Sequence, residues 1–440
     1  MARRDLRIIV VGAGIGGLVA ALSLHEIGAR VDVYESVLEV RPLGVGINLL
    51  PHAVRELDAL ALLEPLRRRS VEPESLVYCS RHGHEIWSEP RGIAAGYPWP
   101  QLSLHRGALQ EVLLDAFVDR VGADHLHLGH RLVRVDADGE RARAVFGTPP
   151  HDDELAVSGD AVVAADGIHS VGRAQRYPRE GQPRWSGSLL WRGVADVEPI
   201  LDGRTMIWAG FRDQKFVGYP IADLSDGRQA FNFVAELRRP ESGLGGDEDW
   251  NRAGELADFL PEFEAWRFDW LDVPAIIRSA PGIFLFPMVD RDPVTRWTFD
   301  RSTLLGDAAH PMYPIGSNGA SQAILDARVL AGCLRTDDGV VSALERYERI
   351  RLPATAAIVE ANRGLGPEVP MQLVHERAPD GFDDINTVIT RAEIDEVTEA
   401  YRRTAGFALQ SLRDDPRSLI EQALIEQALI DQSSSVTDRR

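Results

Sequence analysis

A glycine-rich segment close to the N-terminus, together with a later glutamate, has the residue types of a dinucleotide-binding site. The segment reads Gly12-Ala13-Gly14-Ile15-Gly16-Gly17. Gly12 permits a tight turn, Gly14 lets the backbone approach a pyrophosphate, and Gly17 allows close packing of a helix on a strand. Glu35 can accept hydrogen bonds from ribose hydroxyls and would repel a 2′-phosphate. The pattern predicts dinucleotide binding but does not by itself choose FAD over NAD.

Two further segments carry an aspartate at the end of an apolar run. Asp166 lies in the segment AADGIHS, and Asp307 lies in LLGDAAH. If both runs are strands of a parallel sheet, both aspartates reach its carboxyl edge, where ligands bind. Asp307 could accept hydrogen bonds from sugar or ribityl hydroxyls. Each segment taken alone also fits an ordinary turn or a helix cap.

The segment PIGSNGAS at 314–321 precedes a long helical pattern. Its small residues would leave backbone N–H groups exposed at the positive end of that helix. Such a helix end could stabilise negative charge on a flat ring, as a reduced flavin requires. The alternative is a glycine-rich helix start without a ligand.

The surrounding pattern predicts the elements that position these segments. Residues 7–35 have the pattern of strand, glycine loop, helix and strand, and a helix is expected at 105–120. Between about 185 and 290 the segments are short, rich in β-branched and aromatic residues, and separated by Asp-Gly turns, which predicts a mostly antiparallel sheet. From about 363 the chain is helical and polar. The predicted fold class is α/β, with a Rossmann-type domain, an inserted antiparallel sheet and C-terminal helices.

Composition limits the possible partners. The 440 residues carry a net charge of −19, which disfavours nucleic acid and anionic membrane surfaces. Lys215 is the only lysine, which removes most lysine-based chemistry, including Schiff bases, from consideration. Cys79 and Cys333 are expected to be buried thiols in a reducing compartment. No window approaches the roughly 20 apolar residues of a membrane span, and the expected location is the cytoplasm. A monomer or a homodimer is expected, without a metal site.

Taken together, the three motifs resemble the FAD-binding pattern of the class A aromatic hydroxylases, the p-hydroxybenzoate hydroxylase-like flavoprotein monooxygenases. The resemblance covers roughly residues 5 to 362. It implies four segments: residues 1–183 and 291–362 as the two parts of the FAD-binding domain, 184–290 as the substrate-binding sheet, and 363–440 as a helical extension. The final residues, 433–440, are expected to be disordered.

Shorter segments resemble one branch of this family, the phenazine hydroxylases (5-methylphenazine-1-carboxylate 1-monooxygenase). The segments are RPLGVGIN at 41–48, WSEPRG at 87–92, WRGV at 191–194, PMVDRDP at 287–293 and MYPIGSNGASQAILD at 312–326. Pro311 departs from the larger apolar residue expected beside the flavin loop, and the extension after 363 has no counterpart in that branch. The resemblance therefore indicates the branch and leaves the substrate open.

The resemblance also implies roles for individual residues. Arg106 would reach the flavin phosphate or ribityl chain, and Asp166 would support the site structurally. Apart from the resemblance, Tyr219 and Arg192, on the predicted inserted sheet, are the candidates for substrate contacts; Arg192 suits a carboxylate, with a structural salt bridge as the alternative. Pro314 is expected to shape the pocket on the flavin side through its carbonyl. The residues expected to bind the cofactor are Gly12, Gly14, Gly17, Glu35, Gly46, Asn48, Arg106, Leu132, Asp166, Asp307, Gly316, Asn318, Gly319 and Ala320.

The implied reaction uses FAD, with NADH or NADPH and O2 as co-substrates, and hydroxylates a small aromatic or N-heteroaromatic molecule through a flavin C4a-hydroperoxide. No second GxGxxG follows a strand, so no separate nicotinamide domain is expected. The same chemistry could serve Baeyer–Villiger oxidation or epoxidation. A halogenase is disfavoured because no Trp-x-Trp occurs, and a non-catalytic scaffold would not need the Gly-Asp and PIGSNG segments.

Four side chains could act as a base that deprotonates the substrate: His52, His310, Tyr219 and Tyr313. Structural roles are the simpler expectation for each of them.

Overall fold

The computed structural model describes residues 6–41, 44–148, 153–239 and 252–437. The strands within these ranges are, in chain order, β1 (Arg7–Val11), β2 (Arg30–Tyr34), β3 (Gly46–Leu49), β4 (Ser70–Val71), β5 (Ser75–Cys79), β6 (Glu85–Pro90), β7 (Leu102–His105), β8 (Leu126–His127), β9 (Arg131–Asp138), β10 (Arg141–Thr148), β11 (Asp153–Gly159), β12 (Ala161–Ala164), β13 (Arg184–Val197), β14 (Thr205–Phe211), β15 (Gln214–Asp223), β16 (Gln229–Arg238), β17 (Arg267–Phe268), β18 (Leu271–Asp272), β19 (Ile283–Asp290) and β20 (Ser302–Leu304).

The α-helices of the same ranges are α1 (Ile15–Glu26), α2 (Pro51–Ala59), α3 (Leu63–Arg67), α4 (Arg106–Arg120), α5 (Val171–Arg176), α6 (Leu260–Phe263), α7 (Val273–Ser279), α8 (Gly319–Thr336), α9 (Val340–Arg363), α10 (Val369–Arg377), α11 (Arg391–Thr404), α12 (Leu409–Asp414) and α13 (Leu419–Thr437). None of these helices is long and apolar enough to cross a bilayer.

A five-stranded parallel sheet brings the three sequence motifs to one edge. Its strand order is β20-β12-β1-β2-β8, and each neighbouring pair is parallel. The carboxyl ends of β1, β12 and β20 therefore lie side by side, at Val11, Ala164 and Leu304. Strands β1 and β12 are nearly continuous apolar runs because both faces of the sheet are covered, with α1 and α8 among the covering helices. The predicted Rossmann-type arrangement is confirmed.

The inserted sheet has seven strands in the order β19-β13-β16-β15-β14-β5-β6. All pairs are antiparallel except β14 with β5. The mostly antiparallel prediction is correct, but the boundary of the sheet needs correction. Strands β5 and β6, within the predicted first segment 1–183, belong to this sheet and not to the parallel one. Alternation of apolar and polar residues predicts that a segment is a strand, whereas tertiary packing determines which strand it pairs with.

The two faces of the seven-stranded sheet have different coverings. One face packs Trp191, Phe216 and Phe233 in a cluster with apolar residues of α6 and α7. The opposite face, here called the inner face, packs Tyr78 and Trp208 against residues of the C-terminal helices such as Met371 and Ile394. The C-terminal extension is therefore a covering layer of the sheet.

The extension departs from its prediction at the very end of the chain. Helix α13 continues through Thr437, so residues 433–437 are helical and were wrongly expected to be disordered. Residues 438–440 lie outside the described residues. Both cysteines, Cys79 and Cys333, are buried free thiols, as predicted.

Candidate functional site

The glycine loop between β1 and α1 is closed by short backbone contacts. Gly12 has a φ of +102°, and its N–H donates to the carbonyl of Tyr34 at 2.8 Å. A side chain on Gly17 would overlap the carbonyl of Gly12, so the helix packs on the strand only with glycine there. A Cβ on Gly14 would meet nothing within 4 Å, which places open space directly over the amino end of α1.

Glu35 follows β2 and borders the same space. Its carboxylate accepts hydrogen bonds from the backbone N–H of Ala13 at 2.8 Å and of Val37 at 3.0 Å. These bonds orient the carboxylate at the glycine loop. Leu132 lies on the neighbouring strand β9, but its side chain is only 4% exposed and packs with Tyr34 in a small core. Only the backbone of Leu132 could therefore face a ligand at this end of the cleft.

Asp166 forms the cap of a short helix. Its carboxylate accepts from the hydroxyl of Ser170 at 2.5 Å and from the backbone N–H of Val171 at 2.8 Å, which starts α5. Arg173, on that helix, is 1% exposed and donates to the carbonyls of Ala308 and Ala309 at 3.2 and 2.6 Å. The Asp-Gly motif thus holds the Gly-Asp motif in place through Arg173.

The turn that carries Asp307 is fixed from behind, while its side chain is exposed at the sheet edge. Buried Asp326 accepts from the N–H of Gly306 at 3.1 Å and from His310 at 2.5 Å, and Arg351 donates to it at 2.7 Å. Burial acts to raise the pKa of Asp326, but the charges and hydrogen bonds of His310 and Arg351 outweigh burial and lower the pKa to about 2. His310 is thereby tied to a structural ion pair.

The segment before α8 forms a turn of unusual backbone conformation. Gly316 and Ser317 have φ values of +69° and +58°, both in the left-handed region. A Cβ on Gly319 would meet nothing within 4 Å, so the amino end of α8 also borders open space, with half-buried Ala320 beside it. Pro314 is exposed at the start of the turn.

Asn318 turns its side chain away from the open space bordered by Gly319. It is fully buried, and its amide donates to the carbonyl of Gly316 at 3.1 Å and to the hydroxyl of Tyr401 at 2.8 Å. Only the backbone of Asn318 can therefore face a ligand at the end of α8.

Strand β3 lies across the site from this helix end. Gly46 is buried: its N–H donates to Asn232 at 2.7 Å, and its carbonyl accepts from Arg192 at 2.9 Å. The side chain of Asn48 is buried and accepts from the hydroxyl of Ser103. Arg106 is exposed at the start of α4, and its backbone N–H donates to the carbonyl of Val45 at 2.9 Å.

The two predicted substrate residues, Arg192 and Tyr219, are brought together. Each affects the pKa of the other: burial lowers the pKa of Arg192, while burial raises that of Tyr219 and the adjacent guanidinium opposes the rise. The guanidinium also lies 5.7 Å from the ring centre of Phe286. Within the described residues, no carboxylate forms a salt bridge with Arg192, and its Nε has no hydrogen-bond partner.

The strand registers define a continuous surface on the inner face, here called the platform. One cross-strand row, read from the register of adjacent strands, runs Arg192, Val234, Val217, Trp208 and Tyr78. Arg192 and Trp208 are therefore three strand spacings apart, about 14 Å. Arg192 and the two valines beside it are half-buried, whereas Trp208 and Tyr78 are buried. Tyr313 and Ile315, from the turn before α8, pack in one cluster with Val234.

A small cavity, partly open to solvent, lies at the Trp208 end of the platform. Its walls include Leu76, Met206 and Trp208 from the sheet, Gly316 and Ser317 from the turn, and Tyr401 from α11. Two buried donors on this wall, Nε1 of Trp208 and Nε of Arg91, have no hydrogen-bond partner among the described residues. The cavity can thus satisfy acceptor groups of a ligand.

His52, a possible base from the sequence, is 1% exposed in α2. Burial, with the nearby charges of Arg55 and Arg351, lowers its pKa to about 3. A neutral imidazole with so low a pKa is a weak base at neutral pH. Tyr313 is also buried, and burial next to Asp290 raises its pKa to about 12.

Sequence patterns did not identify several residues that shape this site. Arg173, Asn232 and Tyr401 hold the motifs in place through contacts across long sequence separations. Arg173 follows the Asp-Gly motif closely, so its position was a usable signal. Asn232 and Tyr401 lie in an ordinary strand and an ordinary helix, and no local pattern distinguishes them.

The open edge of the parallel sheet fits an extended dinucleotide. Open space borders three glycines at this edge: Gly14 before α1, Gly167 after β12 and Gly319 at the start of α8. The side chain of Asp307, after β20, is exposed at the same edge. The donor set consists of backbone N–H groups at two helix amino ends, which favour a pyrophosphate and an electron-rich ring carbonyl. Glu35 and Asp307 supply the acceptors that ribose and ribityl hydroxyls need.

Comparison with known proteins gives consistent matches. A family model described as FAD binding domain matches residues 5–362. The chain is 44% identical to phenazine 1,6-dicarboxylic acid hydroxylase PhzS from Lysobacter antibioticus, over 81% of this chain and 89% of the relative. It is 32% identical to 3-hydroxybenzoate 6-hydroxylase 1 from Aquipseudomonas alcaligenes, over 81% and 87%. The crystal structure of Klebsiella pneumoniae HpxO complexed with FAD and uric acid matches with a TM-score of 0.72 and 26% identity, over 92% of this chain and 97% of HpxO.

Proposed function

Because this chain belongs to the FAD binding domain family and is an FAD-dependent aromatic monooxygenase, we propose that it hydroxylates a fused-ring aromatic carboxylate of the phenazine type. The observation that carries this proposal is half-buried Arg192: its buried Nε has no hydrogen-bond partner and its guanidinium no carboxylate partner among the described residues, and it lies beside the hydroxyl of Tyr219. A buried cation is costly unless an anion pairs with it. A substrate carboxylate would supply that anion with bidentate geometry.

The shape of the platform favours fused rings over a single ring. Two half-buried valines, Val234 and Val217, form an apolar surface between Arg192 and Trp208, which are about 14 Å apart. Beyond them, the unpartnered donors of Trp208 and Arg91 suit a second acceptor, such as a ring nitrogen or a second carboxylate. A single hydroxybenzoate ring would not use both ends.

The chain's own residues hold the cofactor and the ring in place. The amino end of α1 and Glu35 would bind the pyrophosphate and the ribose, and Asp307 would bind the ribityl chain or the pyrophosphate region. The backbone from Gly316 to Ala320 would face the flavin pyrimidine. When bound, FAD supplies hydride acceptance from a reduced nicotinamide and activation of O2 for transfer of one oxygen atom to the substrate. The platform and the C-terminal helices would keep water from the ring.

The test uses the FAD-loaded protein with both NADH and NADPH. Flavin reduction rate and oxygenated product, identified by mass spectrometry, are measured with phenazine-1-carboxylate, phenazine-1,6-dicarboxylate, unsubstituted phenazine and 3-hydroxybenzoate. The carboxylated phenazines should accelerate reduction and be hydroxylated. Equal turnover of unsubstituted phenazine, or a clear preference for 3-hydroxybenzoate, would contradict the proposed substrate class.

Variants of Arg192 sharpen this test. Arg192→Met should raise KM for a carboxylated phenazine by about 10- to 100-fold, because a charge-assisted bidentate pair contributes about 1.5–3 kcal/mol. It should change KM for the uncharged ring much less. Arg228→Met is the matched control, since Arg228 is an exposed arginine that pairs with Asp226 in a turn of the same sheet.

A further inference from the structure

The C-terminal extension reaches the turn before α8 through one side chain. The hydroxyl of Tyr401, on α11, lies 2.7 Å from Oδ1 of Asn362 and 3.2 Å from the carbonyl of Ile315, and accepts from the amide of Asn318 at 2.8 Å. Asn362 in turn donates to the carbonyl of Tyr313 at 3.0 Å. Tyr401 is 5% exposed. One buried hydroxyl thus connects to both ends of the turn.

The backbone of this turn needs such support. Ser317, which is not a glycine, has a φ of +58°, and a left-handed conformation costs about 1 kcal/mol for such a residue. Gly316 also has a positive φ, and any side chain there would collide with the hydroxyl of Tyr401. The ring of Tyr401 therefore packs directly on Gly316, next to the strained Ser317, so its contacts favour this conformation of the turn over relaxed alternatives.

The extension is itself fixed on both sides of Tyr401. Before α11, Glu368 forms a buried ion pair with Lys215 of the inserted sheet at 2.6 Å. Within α11, the neighbouring Arg402 pairs with the buried Glu89 of β6. These anchors hold α11 against the inner face, so the position of the Tyr401 hydroxyl is set by the sheet and not by the turn that it contacts.

We propose that Tyr401 is a positioning residue for the flavin: its hydroxyl fixes the turn Ile315–Asn318 and thereby the amino end of α8 against the flavin pyrimidine. The helix end favours negative charge, so its placement determines how strongly the protein prefers reduced FAD. This inference rests on the proposed FAD placement. It gives the C-terminal extension a part in the flavin chemistry in addition to covering the sheet.

The test measures the midpoint potential of bound FAD in the full chain carrying Tyr401→Phe. The phenyl ring keeps the packing on Gly316 and removes only the hydroxyl. We expect FAD to bind stoichiometrically and the potential to fall, so that the ratio of reduced-FAD to oxidised-FAD affinity drops about three- to tenfold. The visible spectrum of bound FAD should shift as well.

Tyr97→Phe is the matched control, because the hydroxyl of Tyr97 donates to the carbonyl of Phe407, a residue of the same extension, at 2.7 Å and forms no hydrogen bond with the turn among the described residues. An unchanged potential in Tyr401→Phe would overturn the inference. If Tyr401→Phe does not fold, Asn362→Ser serves as the second variant, because it removes the acceptor of the Tyr401 hydroxyl. It should also lower the midpoint potential of bound FAD. An unchanged potential in Asn362→Ser refutes the inference as well. Failure of the wild-type chain to take up FAD would instead refute the proposed function.

Discussion

Arg173 donates from Nη1 to the carbonyl of Ala309 at 2.6 Å, and this bond joins two motifs that are far apart in the sequence. Arg173 belongs to the helix capped by Asp166, and Ala309 follows Asp307 in the Gly-Asp turn. Its guanidinium also pairs with Glu180 at 2.5 Å. The two carboxyl-edge motifs are therefore one rigid unit and not two independent loops.

Replacing Arg173 should destabilise the whole unit. Arg173→Met leaves the carbonyls of Ala308, Ala309 and Asp292 without this donor and leaves Glu180, among the described residues, with Arg291 alone, at 3.4 Å. We therefore expect the free energy of unfolding to fall by about 3 kcal/mol. The urea unfolding midpoint measures this. Arg176→Met, on the same helix, is the control: its guanidinium lies over the ring of Phe299 at 5.0 Å from the ring centre, and its replacement should change stability much less. An unfolding midpoint equal to that of the wild type would show that the bridge contributes nothing.

Removing the carboxylate of Asp307 should weaken FAD binding. Because its side chain is exposed at the sheet edge and would accept from flavin hydroxyls, Asp307→Ala should raise the Kd for FAD by about 10- to 100-fold. Titration of apoprotein by flavin fluorescence gives the Kd. Asp119→Ala, an exposed aspartate of α4, is the control. A variant that purifies with full flavin would show that the role is wrong.

A side chain at Gly319 should change the midpoint potential of bound FAD more than it changes the stability of the protein. Its Cβ would enter open space at the end of α8, where the pyrimidine would lie, so Gly319→Val should lower the midpoint potential of bound FAD. Gly282→Val is matched, since a Cβ there also meets nothing within 4 Å but lies at an exposed loop. Identical potentials in wild type and Gly319→Val would argue against the helix-end placement.

His52 should make stability depend on pH below neutrality. Its folded pKa of about 3 lies below the ordinary value of 6.5, so above about pH 6.5 it is neutral in both states and has no effect. Between pH 6.5 and 3 the unfolded chain binds a proton that the folded chain does not, and stability falls as pH falls. From pH 7 to pH 5 this amounts to about 2 kcal/mol.

The comparison of variants isolates this contribution. The wild type loses free energy of unfolding between pH 7 and pH 5. In His52→Gln this loss should be smaller by about 2 kcal/mol, because the titrating imidazole is absent. His25→Gln, at an exposed position of α1, should keep the wild-type pH dependence. If His52→Gln loses as much stability as the wild type, His52 does not titrate as described.

The sequence alone determined the parallel sheet and the three motif loops at its carboxyl edge. Buried parallel strands are continuous apolar runs, and glycines at a tight turn cannot be replaced, so both leave local patterns. Gly12, Gly17 and Asp307 were therefore identified from their neighbours in the chain. The inserted antiparallel sheet was also predictable, because its strands alternate and its turns carry Asp-Gly.

Tertiary structure decided which distant residues meet those motifs. The pairing of β5 with β14, the inward turn of the Asn318 side chain and the contact of Tyr401 with Ile315 all join segments far apart in sequence. Such contacts depend on packing and on the satisfaction of buried polar groups, which no window of neighbouring residues records. Arg192 and Tyr219 were candidates from the sequence, but only the folded sheet brought their side chains into contact across two strand spacings.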